Sequence, residues 1–198
     1  MISLKHLLKK GNDTLLVMMG EDHLSFETDM SVLFVYEFDW NTYLSPWPAA
    51  RIFKTGTDFE GKADEMIQKL LDLNLIQNYK HCYIAGYSLA GLFALYSCTK
   101  VNLFEGCICC SASLWYPDFY SYLQSHPVYA KRIYFSLGNK EKRSRNPVLA
   151  EIGNISEKTF QLMKQNHECV FEWNEGNHFS FVDERMRKGI TWMNESEN

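Results

Sequence analysis

One short segment of the 198-residue chain has the residue types and spacing of a serine nucleophile. Gly86-Tyr87-Ser88-Leu89-Ala90-Gly91 reads G-x-S-x-A-G, directly after the apolar run Cys82-Tyr83-Ile84-Ala85 and directly before the almost wholly apolar stretch 89–98. A chain that leaves a strand and turns at once into a helix can lift a serine above the sheet, provided the second residue on each side is small, because those two nearly touch. Gly86 and Ala90 meet that requirement. The same geometry frees the backbone N–H of Leu89 to stabilise an oxyanion, helped by the positive end of the following helix. The bland alternative is an ordinary strand-to-helix turn with a capping serine.

A serine needs a base, and the chain has six histidines. His178, in Asn174-Glu175-Gly176-Asn177-His178-Phe179, follows the last apolar run and precedes the final amphipathic segment. This matches the order serine, acid, histidine of α/β-hydrolases. His81 and His167 precede their apolar runs and would emerge at the wrong end of a sheet, which leaves His23 as the one rival by position. The orienting acid should end the run between Ser88 and His178. Ile133-Tyr134-Phe135-Ser136-Leu137 leads into Gly138-Asn139-Lys140-Glu141, so Glu141 is the candidate to accept the imidazole Nδ1–H. Glu175 and Asp183 are spare candidates, and a dyad without an acid stays open. For the second oxyanion donor two loops compete, a backbone N–H near Glu21 after the first run and one near Trp40 after the second.

These residues require an open sheet to position them. Short apolar runs at 15–19, 32–36, 82–85, 107–110, 133–137 and 169–173 suit strands buried on both faces. Between them, helical periodicity predicts a helix over 60–76 (Ala63, Met66, Ile67, Leu70, Leu71, Leu75) and another over 89–98. A helix over 147–166 would start at Pro147 behind an Asn146 cap, and a last one spans 181–194 with Val182, Met186, Ile190 and Met193 on one side. The alternation predicts an α/β fold, a mostly parallel sheet with helices on both faces, in a single domain over 1–198. Such sheets place their sites beyond the carboxyl ends of the strands, where each candidate stands.

Composition narrows the function classes. The 13 Phe, 11 Tyr and 5 Trp exclude global disorder, and the net charge of −4 gives no basic footprint for nucleic acid. No apolar run approaches the roughly 18 residues that span a bilayer, and no secretory signal opens the chain. The six cysteines read as reduced thiols: alternation puts Cys107 and Cys109 on one strand face and Cys110 on the other, and no histidine at ligand spacing accompanies them. Cytoplasmic residence is the default. Aromatics beyond the strand ends (Phe38, Trp40, Tyr43, Trp47, Trp115, Tyr116, Phe179) suggest a flat apolar pocket wall.

Gly86-Tyr87-Ser88-Leu89-Ala90-Gly91-Leu92-Phe93-Ala94-Leu95-Tyr96, Phe104-Glu105-Gly106, Ser111-Ala112-Ser113-Leu114-Trp115, Tyr134 to Glu141, and Gly176-Asn177-His178 together resemble an esterase family of α/β-hydrolases. That family includes siderophore esterases, S-formylglutathione hydrolase-like enzymes and mycolyl transferases. The resemblance runs from about Cys82 to Trp192. It implies Ser88 as nucleophile, His178 as base and Glu141 at the acid position, with the stretch around Trp115 bordering the pocket. It also implies a minimal member, lacking the N-terminal strands and large cap insertions of bigger relatives. The expected activity is a serine carboxylester hydrolase acting on a small-molecule ester through an acyl-enzyme, with no metal and no organic cofactor. The alternatives are a non-catalytic binding protein on the same fold, or an acyltransferase or thioesterase using the same Ser-His pair.

Overall fold

The apolar runs become the strands of one sheet in a computed structural model that describes residues 2–195. The strands are β1 (Ser3–Leu7), β2 (Thr14–Met19), β3 (Ser31–Tyr36), β4 (Pro48–Ala49), β5 (Phe59–Glu60), β6 (His81–Tyr87), β7 (Gly106–Cys110), β8 (Arg132–Gly138) and β9 (Glu168–Asn174). The helices are α1 (Trp40–Tyr43), α2 (Ala63–Leu71), α3 (Leu89–Lys100), α4 (Phe119–Ser125), α5 (Pro147–Ala150), α6 (Ile152–Met163) and α7 (Val182–Asn194). Seven strands form the main sheet in the order β1-β3-β2-β6-β7-β8-β9, while β4 and β5 pair as a separate ribbon. All pairings in the main sheet are parallel except β1 with β3.

Side-chain alternation divides the core into two. Leu15, Val17 and Met19 of β2, Ile84 of β6 and Cys107 and Cys109 of β7 face α2, α3 and α6. Leu16, Met18, Tyr83, Ala85, Ile108 and Cys110 face the other way, under Met186, Ile190 and Met193 of α7. Central strands are thus buried on both sides, which is why their sequences read as unbroken apolar runs. The α3 helix lies against β6 and β7 and is buried on nearly every residue, so its sequence shows no polar face.

Several expectations shift in detail. The predicted helix over 60–76 contracts to α2, because Asn74 takes a left-handed φ of 52° and Ile76 opens a 3-10 turn instead. The predicted helix over 147–166 splits at Glu151 into α5 and α6, with Asn146 capping the Val148 N–H and Pro147 in the first turn. β9 was expected to be buried on both faces, yet as the sheet's edge it is mostly half-buried, with Trp173 exposed. At the other edge β1, a strand not expected from the sequence, pairs antiparallel with β3. Its residues are largely exposed, so backbone pairing holds it and no apolar run announces it. Among the described residues no helix is long and apolar enough to cross a membrane.

Candidate active site

Four consecutive parallel strands deliver the site residues from their carboxyl ends. β6 ends at Tyr87 and releases Ser88; β7 ends at Cys110 and releases Ser111; β8 ends at Gly138, just before Glu141; β9 ends at Asn174, just before the loop of His178. Ser88 sits at φ 58°, ψ −122°, a strained conformation for a residue with a side chain, and its side chain makes no capping hydrogen bond to α3. Strain of this kind costs of order 1–3 kcal/mol and persists only where the surroundings enforce it. Here they do: Ser88 N–H donates to Cys110 O (3.0 Å), while Ser88 O accepts from Gly91, Leu92 and Ser113 N–H (3.1, 3.2 and 3.0 Å).

The held hydroxyl points at a histidine. Ser88 Oγ lies 3.0 Å from His178 Nε2, and His178 Nδ1 lies 2.8 Å from Glu141 Oε2. Donation of Nδ1–H to the carboxylate leaves Nε2 as acceptor for the serine proton. Glu141 Oε1 accepts from Ser111 Oγ (2.7 Å), Gly138 N–H (2.8 Å) and Arg185 Nη1 (3.1 Å). Burial by itself would raise the Glu141 carboxyl, but the hydrogen bonds from His178, Ser111 and Gly138 outweigh it and hold the group below its ordinary value of 4.5. An ionised carboxylate is what an imidazole about to become imidazolium needs opposite it.

A cavity of about 500 Å³ opens beside Ser88, within the size range of small-molecule sites. Its walls include Trp40, Phe53, Phe59, Trp115 and Phe179, with Leu149 and Ile152 adding aliphatic surface, and exposed Lys140 and Arg143 also line it. Leu89 and Trp40 both border this space, and among the described residues neither backbone N–H has a hydrogen-bond acceptor. Each is the first residue of its helix, where an N–H has no partner within the helix.

Of the residues singled out in the sequence, Ser88, His178, Glu141, Leu89, Trp40 and Trp115 come together. Glu21 does not line the cavity; it is half-buried, and burial, with some repulsion from Asp183 and Asp22, raises its carboxyl. His23, the positional rival, is exposed and paired with Asp22. Glu175 and Asp183 are exposed, and Glu141 takes the Nδ1 side of His178 instead. The pocket wall is only partly the expected one. Phe38, Tyr43, Trp47 and Tyr116 do not line it, and Trp47 packs instead against Tyr96, Tyr116, Phe119 and Tyr122. Phe53 and Phe59, which replace them, stand in a loop and a two-residue strand with no period to mark them. Ser111, Tyr87 and Arg185 also went unread. Arg185 alone left a signal: it lies three residues from Val182, on the face that Met186 and Ile190 bury.

No protein-family model matches the chain, and no curated protein sequence does. Solved structures match its architecture at low identity. An IroE-like serine hydrolase from Shewanella oneidensis is similar at a TM-score of 0.77 and 11% identity, over 96% of this chain and 74% of that one. A siderophore hydrolase, EstB, from Aspergillus nidulans gives 0.63 and 14%, over 100% and 90%. Acyl-protein thioesterase 2 from Zea mays gives 0.62 and 13%, over 98% of both chains. This chain has the α/β-hydrolase fold. The cavity has little cover: Phe179, on the loop that carries His178, is 85% exposed and Phe53 is 57% exposed.

Proposed function

We propose that the protein is a serine carboxylester hydrolase that works through an acyl-enzyme. The observation that carries the reading is the unbroken chain of hydrogen bonds from Ser88 through His178 to a buried Glu141, beside an aromatic-walled cavity. Ser88 Oγ attacks the ester carbonyl as His178 Nε2 takes its proton. The tetrahedral oxyanion is held by the N–H of Leu89 and, as second donor, that of Trp40. His178 then returns the proton to the departing alcohol oxygen, and the acyl group stays on Ser88. Water enters, gives a proton to His178, attacks the acyl carbonyl and releases the acid, restoring the Ser88 hydroxyl. Glu141 keeps the ring in the right tautomer and offsets its charge in both half-reactions.

The wall of Trp40, Phe53, Phe59 and Trp115 suits an ester with a flat aromatic or short apolar acyl part. Lys140 and Arg143 add positive charge beside it. That two of the structurally similar proteins are named a serine hydrolase and a siderophore hydrolase agrees with this chemistry. The test is labelling with a fluorophosphonate together with turnover of p-nitrophenyl esters of increasing chain length. One label per chain, lost in Ser88→Ala along with turnover, is expected. A folded wild-type protein whose Ser88 stays unlabelled would leave a binding protein on a hydrolase fold.

A further inference from the structure

The one guanidinium of Arg185 reaches five oxygens, and all belong to the strand-exit segments that carry the proposed triad. Arg185 comes from α7, on the far face of the sheet from α3, and is fully buried. Its Nη1 donates to Tyr87 Oη (2.8 Å), Ser111 Oγ (2.8 Å) and Glu141 Oε1 (3.1 Å). Its Nη2 donates to Asn177 O (2.9 Å) and reaches Glu175 O at 3.5 Å. Tyr87 Oη in turn donates to His178 O (2.6 Å). The exits of β6, β7, β8 and β9 therefore meet on a single side chain.

From this we infer that Arg185 is a positioning residue for the catalytic relay, acting through Glu141 and through the backbone on both sides of His178. The inference rests on the Ser88–His178–Glu141 reading. Two features set it apart from a buried ion pair that merely stabilises the fold. The first is the division of the carboxylate: with Ser111, Gly138 and Arg185 all donating to Oε1, only Oε2 is left for the imidazole, so the arginine helps decide which oxygen faces the ring. The second is the accounting of donors. Arg185 Nε–H is buried with no acceptor among the described residues, while both terminal nitrogens serve the site. A buried ion pair is by itself weak evidence for stability, since replacing the whole pair by well-packed apolar residues is often neutral. Gly138 shows how closely the arginine is fitted, since a Cβ there would lie 2.6 Å from Nη2 and 3.0 Å from Glu141 Oε1.

A double-mutant cycle on a p-nitrophenyl ester, with unfolding followed in parallel, tests the assignment. Arg185→Met should lower kcat roughly 10- to 100-fold with KM within about twofold, since the side chain touches the relay and not the cavity. In a Glu141→Gln background the same change should cost several-fold less than in the wild type, because the route through Glu141 is already gone and only the route through the His178 backbone remains. An equal loss in both backgrounds, or a loss confined to KM, overturns the proposal. Should Arg185→Met fail to fold, Tyr87→Phe serves, because it keeps the ring and removes only the hydroxyl that joins Arg185 to His178 O. Its kcat should fall about three- to tenfold, and an unchanged kcat counts against the inference. Glu141→Gln alone separates the two levels. If it leaves kcat within about threefold of wild type, the triad reading fails; if it is severe while the Arg185 and Tyr87 variants are silent, only the role of Arg185 does.

Discussion

Gly86 and Ala90 close the elbow on each other: a Cβ on Gly86 would overlap the Ala90 carbonyl group and lie 2.8 Å from the Ala90 side chain. The contact joins the end of a strand to the first turn of a helix, so neither side can move off without shifting Ser88 between them. Overpacking a site like this costs about 1–3 kcal/mol. Gly86→Ala should lower stability by that order in urea unfolding. It should lower kcat by far more than the unfolded fraction explains, because Ser88 Oγ would leave its 3.0 Å approach to His178 Nε2. Normal turnover in the Gly86→Ala variant would show that the elbow tolerates the shift.

Glu141 gives the site a signature in acid. Its folded carboxyl is held below the ordinary 4.5, so near and below that pH the unfolded chain binds more protons than the native one. The stability it contributes is fully present above about 4.5 and is lost as the pH falls through the lower folded value. Tm measured from neutral pH down to about 3 should therefore fall in the wild type. Glu141→Gln should have a lower Tm at neutral pH and a flatter acid slope, so that the two curves converge. Parallel curves would mean that the ionised carboxylate contributes nothing that the amide lacks.

The parts of this molecule that could be read in the sequence are those whose physics is local. An elbow declares itself because close approach demands Gly86 and Ala90 at fixed offsets from Ser88. The central strands declare themselves because burial on both faces removes polar residues from β2, β6 and β7. The order of Ser88, Glu141 and His178 follows from the order of the strand exits. What stayed hidden depends on tertiary neighbours. β1 is held by backbone pairing and a few exposed side-chain contacts, and the pocket faces of Phe53 and Phe59 are set by a ribbon and loop without periodicity. Glu21 and Trp40 were equal candidates because both follow strands of the same sheet, and only folding puts Trp40 beside the cavity. Arg185 was legible in part, as a charge on an apolar helix face, but its five acceptors come from four separate strand exits.

The aromatic wall predicts a split between substrates. Trp115 lies 6.2 Å from Phe59, centroid to centroid, and the pair forms one side of the cavity. Loss of one such face removes about 1–2 kcal/mol of contact, roughly a 5- to 30-fold change. Trp115→Ala should raise KM by that order for a benzoyl ester and by much less for an acetyl ester, with kcat changed little for either. Equal effects on both would place the acyl group elsewhere in the cavity.

The N–H proposed as second oxyanion donor can be deleted without deleting its helix. Trp40 is the first residue of α1, and Asp39 before it has φ −73° and ψ 116°, a conformation compatible with a following proline. Proline is tolerated at the first helical position because that N–H has no partner in the helix. Trp40→Ala removes the indole and keeps the N–H; Trp40→Pro removes both. The alanine protein therefore measures what the ring contributes to the wall, and the difference between the two variants isolates the backbone donor. Removing one donor of an oxyanion hole typically costs about 10²- to 10³-fold in kcat. A further loss of that order should separate Trp40→Pro from Trp40→Ala, with fluorophosphonate labelling of Ser88 slowed in parallel. If the two variants turn over equally, the oxyanion is held by Leu89 and some donor other than Trp40.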